Sequence, residues 1–143
     1  MSRKSRYTLD VPTVDTLGNP LEDISARVHG HLRDRGIDED AYVTGPHRVL
    51  RGQASIPTEH FVTYLDDSPE NDSQMKEVAK YVAGVSNHPH GVVVKDSSQG
   101  SQVFKINNPI HKPGVASPIT KPTTIHEILN GALPGYTGLP AFR

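Results

Sequence analysis

The stretch SPENDSQMKEVAKYVAGV, residues 68–85, predicts the most regular element of this chain. Ser68 followed by Pro69 is a helix start signal, because a serine side chain caps free backbone N–H groups and proline fits the first helical position. The apolar residues that follow recur at helical spacing and share one face: Met75, Val78, Tyr81, Val82 and Val85. We therefore predict a helix over about 69–85 with one apolar stripe.

Shorter elements are predicted on both sides of this helix. Two β-rich runs at 91–95 and 102–106 are separated by polar and glycine residues, which predicts a hairpin. A second helix is expected after Pro20 and ends at Gly36, because its apolar residues lie three and four positions apart. Thr58 is expected to cap a third, short helix that carries Phe61, Val62 and Leu65.

Proline and glycine divide the rest of the chain into irregular segments. Residues 1–19 are predicted to be an extended N-terminal arm, although the alternation over 7–11 could also pair as a short strand. Prolines recur every four or five residues over 107–122, so this run cannot be a helix or a central strand. The predicted fold is α+β with low regular content: a small helical unit with a hairpin over 20–106, and an extended strap and tail over 107–143.

Composition narrows the classes of function. Hydrophobic residues make up 34% of the 143 residues, so the chain can build only a modest core, and we expect it to become ordered within a large assembly. The net charge of −1 lacks the basic footprint of a nucleic-acid binder. No apolar run approaches the ~20 residues that span a bilayer, so no membrane partner is expected. The absence of cysteine excludes disulfides, thiolate zinc sites and cysteine nucleophiles.

Histidine offers the main route to catalysis. His88 and His90 flank a proline and would point the same way on an extended segment, so both could face one metal with a third ligand from His111, His126 or Asp96. The chain has no His-Glu-x-x-His motif and no nucleophile elbow. We therefore predict no catalytic residue, metal or cofactor, and a protein that is not an enzyme. A small metalloenzyme dependent on histidine stays open as an alternative.

The tail contains the most specific pattern in the sequence. Residues 133–140 read LPGYTGLP, in which glycine permits close backbone approach and proline lowers the entropy lost on binding. Tyr136 and Phe142 are suitable aromatic anchors for an interface, although a tyrosine folded onto the protein's own core would fit composition equally well.

This tail resembles the Pro-Gly-Tyr-x-Gly signature of ciliary microtubule inner proteins, and is most similar to their family 166 type. The resemblance implies that Pro134, Gly135, Tyr136 and Gly138, with Phe142, bind a partner. It further implies a non-enzymatic structural protein that stabilises the tubulin lattice inside axonemal doublet microtubules of a cilium or flagellum, among other axonemal proteins. A structural component of a virion or another large assembly is the alternative reading.

Overall fold

The computed structural model of the chain describes residues 4–37 and 56–120. Four strands and two helices lie within these residues, which confirms the predicted α+β class with low regular content. In chain order they are β1 (Lys4–Pro12), α1 (Ile24–Asp34), β2 (Thr58–Asp66), α2 (Pro69–Ser86), β3 (His90–Ser97) and β4 (Gly100–Asn107).

The long helix begins and ends where the sequence predicts. The Ser68 hydroxyl accepts a hydrogen bond from the Asn71 backbone N–H at 3.1 Å, so the expected cap is formed. At the other end, Asn87 adopts a positive φ of 54° and its backbone N–H bonds back to the carbonyls of the last turn. An asparagine in this left-handed conformation commonly ends a helix. The helix predicted after Pro20 is α1, and Gly36 follows it with a positive φ.

The four strands form one antiparallel sheet in the order β2-β1-β3-β4. β1 comes from the predicted N-terminal arm and pairs with both β2 and β3, so it lies in the interior of this sheet. The predicted hairpin is formed by β3 and β4. Residues 1–3 of the predicted arm lie outside the described residues.

The prediction of a short helix after Thr58 is wrong, because this segment forms strand β2. The spacing of Phe61, Val62 and Leu65 fits a helix face locally. In the folded chain each residue of Thr58–Asp66 lies opposite one residue of β1, and Phe61 and Thr63 turn towards the buried side. Pairing with a distant strand therefore overrides a weak local pattern.

One face of the sheet packs against both helices. In the strand register Leu9 lies between Phe61 and Val93, and all three are completely buried. The apolar stripes of α1 and α2 join them in one core cluster, through residues such as Val28 and Val78. Burial of this kind stabilises a fold by roughly 25 cal/mol for each Å² of apolar surface removed from water.

Gly91 sets the approach of α2 to β3. A β-carbon at this position would collide with the backbone carbonyl of Ala79. Helix and strand therefore come closer together than any residue with a side chain would allow at this point.

A buried polar cluster joins the sheet to the N-terminal turn of α2. The Lys95 ammonium lies 2.7 Å from the Asp67 carboxylate and 2.8 Å from that of Asp72, and the Tyr7 hydroxyl donates to Asp72 at 2.6 Å. Burial raises the pKa of Tyr7, and the adjacent Asp72 carboxylate raises it further. Burial alone would lower the pKa of Lys95, but its hydrogen bonds to Asp67 and Asp72 outweigh burial and raise it. Lys95 therefore stays charged and Tyr7 stays neutral near pH 7, and their contacts with Asp72 cross-link the sheet to α2.

Over the described ranges 4–37 and 56–120, no helix combines the length and the apolar character that crossing a membrane requires.

Candidate functional site

The segment after β4 lies against the helices and is fastened there by side chains. We call residues 108–120 the strap. As predicted from its prolines, it contains no helix or strand, apart from an isolated bridge between Thr120 and Leu21. The Asn87 side chain donates to the backbone carbonyls of Lys112 at 3.0 Å and Val115 at 2.8 Å, and accepts from the Lys112 N–H at 2.9 Å.

Both ends of the strap are fixed as well. At its start, the buried Asn108 amide donates to the carbonyls of Ala83 and His88 at 3.1 and 2.9 Å. Towards its end, the backbone N–H of Ser117 donates to the buried Asp15 carboxylate at 3.0 Å. Burial alone would raise the pKa of Asp15, but this bond and others from its own loop outweigh burial and lower it. The described strap is therefore part of the body of the fold.

A cavity of about 590 Å³ lies between the strap and the two helices. Its α2 wall consists of residues three and four positions apart, which places them on one side of the helix: Glu77, Lys80, Tyr81 and Gly84. The strap contributes Pro109, Ile110 and Pro118. The volume lies within the range of small-molecule sites, roughly 300–1,000 Å³.

Two aromatic rings that stack on each other, those of His31 and Tyr81, lie in the wall of this cavity. The His31 imidazole lies parallel to the Tyr81 ring, with ring centres 3.9 Å apart and planes inclined by 1°. Burial, followed by the nearby Arg35 charge, lowers the pKa of His31, so the imidazole is neutral near pH 7. A planar heterocycle can extend this stack on a ring face that the partner ring does not cover.

Three charged groups surround the aromatic wall. Arg35 and Lys80 contribute positive charge, Glu77 contributes negative charge, and all three residues are exposed at the cavity. Within residues 4–37 and 56–120, none of the three charged groups is paired in a salt bridge. The cavity thus combines an apolar, aromatic interior with charges of both signs, which suits a flat ligand that carries charged substituents.

A second cavity of about 260 Å³ adjoins the first. The two cavities share Gly84 of α2 and two strap residues, Ile110 and Pro118. The second cavity is lined further by Asn87, Lys112, Val115 and Ala116.

A carboxylate–imidazole pair lies on the opposite face of the sheet. His60 Nδ1 is 2.8 Å from the buried Asp10 carboxylate. Asp10 alternates along β1 with Leu9 and Val11, which face the core, so this pair is turned away from the helices and from both cavities.

The described residues offer no metal site at the His88–His90 pair, and His126, one of the possible third ligands, lies outside them. The His88 ring is completely buried, and its Nε2 donates to the Val14 carbonyl at 2.8 Å. Among the described residues, no group of three or more histidine, aspartate or glutamate side chains could hold a metal ion. His29 and His31 of α1 are partly buried: the His29 ring centre lies 5.3 Å from that of Phe61, and His31 stacks on Tyr81.

The partner-binding residues predicted in the tail, Pro134, Gly135, Tyr136, Gly138 and Phe142, lie outside the described residues. Sequence reasoning missed the cavity residues. His31, Tyr81 and Ile110 come from three separate segments, and no spacing rule connects them. The one local signal was Tyr81, the only aromatic residue in the apolar stripe of α2.

No protein-family model matches the sequence, and no curated protein matches it. The fold is similar to two solved structures. One is a phage SAM lyase in complex with S-methyl-5′-thioadenosine: the match covers 78% of this chain and 95% of that chain, at 15% identity and a TM-score of 0.53. The other is a phage SAM lyase in its apo state, with 78% and 98% coverage, 19% identity and a TM-score of 0.46.

This likeness corrects the prediction that the chain is not an enzyme. The first structure shares the fold over nearly its whole length, and it is the fold of an enzyme. The sequence-based prediction relied on missing motifs for metal binding and nucleophilic attack, but enzymes can also work by general acid–base catalysis or by electrostatic stabilisation, which need neither motif.

Proposed function

We propose that this protein is an enzyme that binds S-adenosylmethionine and cleaves it to S-methyl-5′-thioadenosine, with the cavity beneath the strap as its active site. The observation that carries the proposal is the cavity, which combines a stacked aromatic wall with a nearby carboxylate. The likeness in fold to the phage SAM lyase supports this choice of ligand.

The parts of this substrate match the parts of the cavity. Adenine is a planar heterocycle that can stack on an outer face of the His31–Tyr81 pair. The substrate also carries a sulfonium, and Glu77 supplies a negative charge on the same side of α2 as Tyr81. A carboxylate next to a sulfonium stabilises the charged substrate by electrostatic attraction.

The reaction requires no oxidant or metal to balance. Cleavage of the bond between sulfur and Cγ of the methionine chain leaves its electron pair on sulfur, which becomes a neutral thioether. As that bond breaks, Cγ forms a new one. Either an oxygen of the fragment's own carboxylate bonds to Cγ and gives a lactone, or Cβ and Cγ form a double bond while the Cβ proton passes to water. The contribution of the protein is to orient the substrate and exclude water, which can lower a barrier by several kcal/mol.

The proposal is tested by incubating the purified full chain with S-adenosylmethionine and measuring S-methyl-5′-thioadenosine by liquid chromatography and mass spectrometry. Tyr81→Ala and Glu77→Gln should each lower kcat/KM by about tenfold or more, given interactions of roughly 1.4 kcal/mol. Glu70→Gln is the matched control, because Glu70 lies on the first turn of α2 and does not line the cavity. Formation of product at the uncatalysed rate by the unaltered protein would refute the proposal.

The role inside doublet microtubules stays a separate prediction. It rests on the tail motif, and no contact of residues 4–37 or 56–120 bears on tubulin.

A further inference from the structure

Gly84 lies where the two cavities meet. It is a residue of α2 and lines both of them. A β-carbon at Gly84 would meet no atom within 4 Å, so the fold itself does not require glycine there. Glycine in a helix interior is unfavourable relative to alanine. Gly84 therefore places no side chain in either cavity.

The smaller cavity has a distinct chemistry. Among the described residues that line it, Lys112 is the one that carries a charge. Lys112 is exposed, and its ammonium has no ion pair within residues 4–37 and 56–120. Asn87 also lines this cavity, but its side chain already bonds to the backbone of Lys112 and Val115. An anionic group would therefore be recognised by Lys112.

The position of Lys112 is fixed by these same bonds. Asn87 holds both the N–H and the carbonyl of Lys112, so the stem of the lysine starts from an anchored backbone. A charge on an anchored backbone loses less conformational entropy on binding than one on a free loop.

We propose that the two cavities are lobes of one site joined across Gly84, and that the smaller lobe binds an aliphatic chain ending in a carboxylate, with Lys112 as its partner. This inference rests on the proposed function, in which the larger lobe binds the adenine end. It makes Gly84 and Lys112 specificity-determining residues. They distinguish nucleosides that carry an aminocarboxypropyl chain from nucleosides that lack it.

The test compares two stable ligands by isothermal titration calorimetry on the full chain. S-adenosylhomocysteine carries the aminocarboxypropyl chain, and S-methyl-5′-thioadenosine lacks it. The unaltered protein should bind S-adenosylhomocysteine about tenfold more tightly, because a charge-assisted contact is added. Lys112→Met should remove this advantage and leave binding of S-methyl-5′-thioadenosine within about twofold. Lys80→Met is the matched control, because Lys80 lines only the larger lobe and should not change the ratio of the two affinities.

Gly84→Leu tests the junction of the two lobes at Gly84. It should weaken binding of S-adenosylhomocysteine about tenfold and that of S-methyl-5′-thioadenosine much less. Gly30→Leu is its control, since Gly30 is a glycine of α1 with equally open surroundings that does not line either lobe. Circular dichroism melting of each variant verifies folding.

The outcomes separate the two proposals. If neither ligand binds the unaltered protein, the proposed function fails and this inference fails with it. If both ligands bind with equal affinity, or if Lys112→Met and Gly84→Leu leave the affinity ratio unchanged, the two-lobe inference is overturned while the proposed function stands. The inference is supported if the ratio of the two affinities falls to about one in Lys112→Met and Gly84→Leu and is unchanged in Lys80→Met and Gly30→Leu.

Discussion

The middle of the strap is predicted to be held in place by one side chain, that of Asn87. Replacement of Asn87 by glycine removes three hydrogen bonds to the strap and keeps a residue that tolerates the positive φ at this position. At about 1 kcal/mol for each bond the loss would be roughly 3 kcal/mol. Lys112 and Val115 are exposed, so water can bond to the freed backbone groups, and we expect a loss of about 2 kcal/mol.

The assay is hydrogen exchange of the Lys112 amide together with urea unfolding. A loss of about 2 kcal/mol corresponds to roughly 30-fold faster exchange at this amide if the strap opens locally. Asn87→Asp should lose at least as much, because it removes both donated bonds and turns a carboxylate towards two carbonyl oxygens. If the Lys112 amide exchanges at an unchanged rate in Asn87→Gly and the unfolding free energy is also unchanged, the reasoning about the strap is refuted.

Three further predictions concern the body of the fold. Tyr7→Phe should lower the unfolding free energy in urea by about 2 kcal/mol, since it removes a bond to an ionised carboxylate; an unchanged midpoint would contradict this. Gly91→Ala should lower the unfolding free energy in the same assay by about 3 kcal/mol, because the added β-carbon collides with the Ala79 carbonyl. An unchanged unfolding free energy would contradict this and would mean that α2 can move away from β3 without cost. The pKa of His88 is lowered by burial, so the unfolded chain takes up its proton first, at the ordinary value of 6.5. The contribution of His88 to the unfolding free energy is therefore complete above that pH and is lost as pH falls through the lower folded pKa. In urea unfolding between about pH 7 and 5, the unfolding free energy should fall less steeply with pH for His88→Gln than for the unaltered protein.

The sequence predicts the elements of this fold that depend on local signals. The cap of Ser68, the apolar stripe after Met75 and the glycine stop at Gly36 each act within a few residues, and each is found where expected. The hairpin of β3 and β4 is local as well, since its two runs are joined by a short turn.

Elements that depend on distant partners were harder to predict. β1 and β2 are separated by α1 and by residues outside the described ranges, and the alternation over 7–11 does not by itself reveal a partner strand. Phe61 and Leu65 are spaced as on a helix, so the local pattern favoured the wrong element until pairing with β1 was known. A low apolar content also concealed the core, because the sheet brings together residues that are far apart in the chain.

The candidate site was inaccessible to sequence reasoning for the same reason. Tyr81 was recognised only as part of an apolar stripe, and no sequence pattern connected it with His31. They meet because α1 and α2 pack on the same face of the sheet, and the strap then closes over them. The prolines of the strap predicted its irregular backbone but not its attachment through Asn87.

The central claim is that the space between the strap and the two helices binds an adenosine thioether. The most direct measurement is a crystal structure of the full chain soaked or grown with S-methyl-5′-thioadenosine. We expect density for the adenine on an outer face of the stacked His31–Tyr81 pair, next to Ile110. Adenine density at another surface, with this cavity filled only by water, would contradict it.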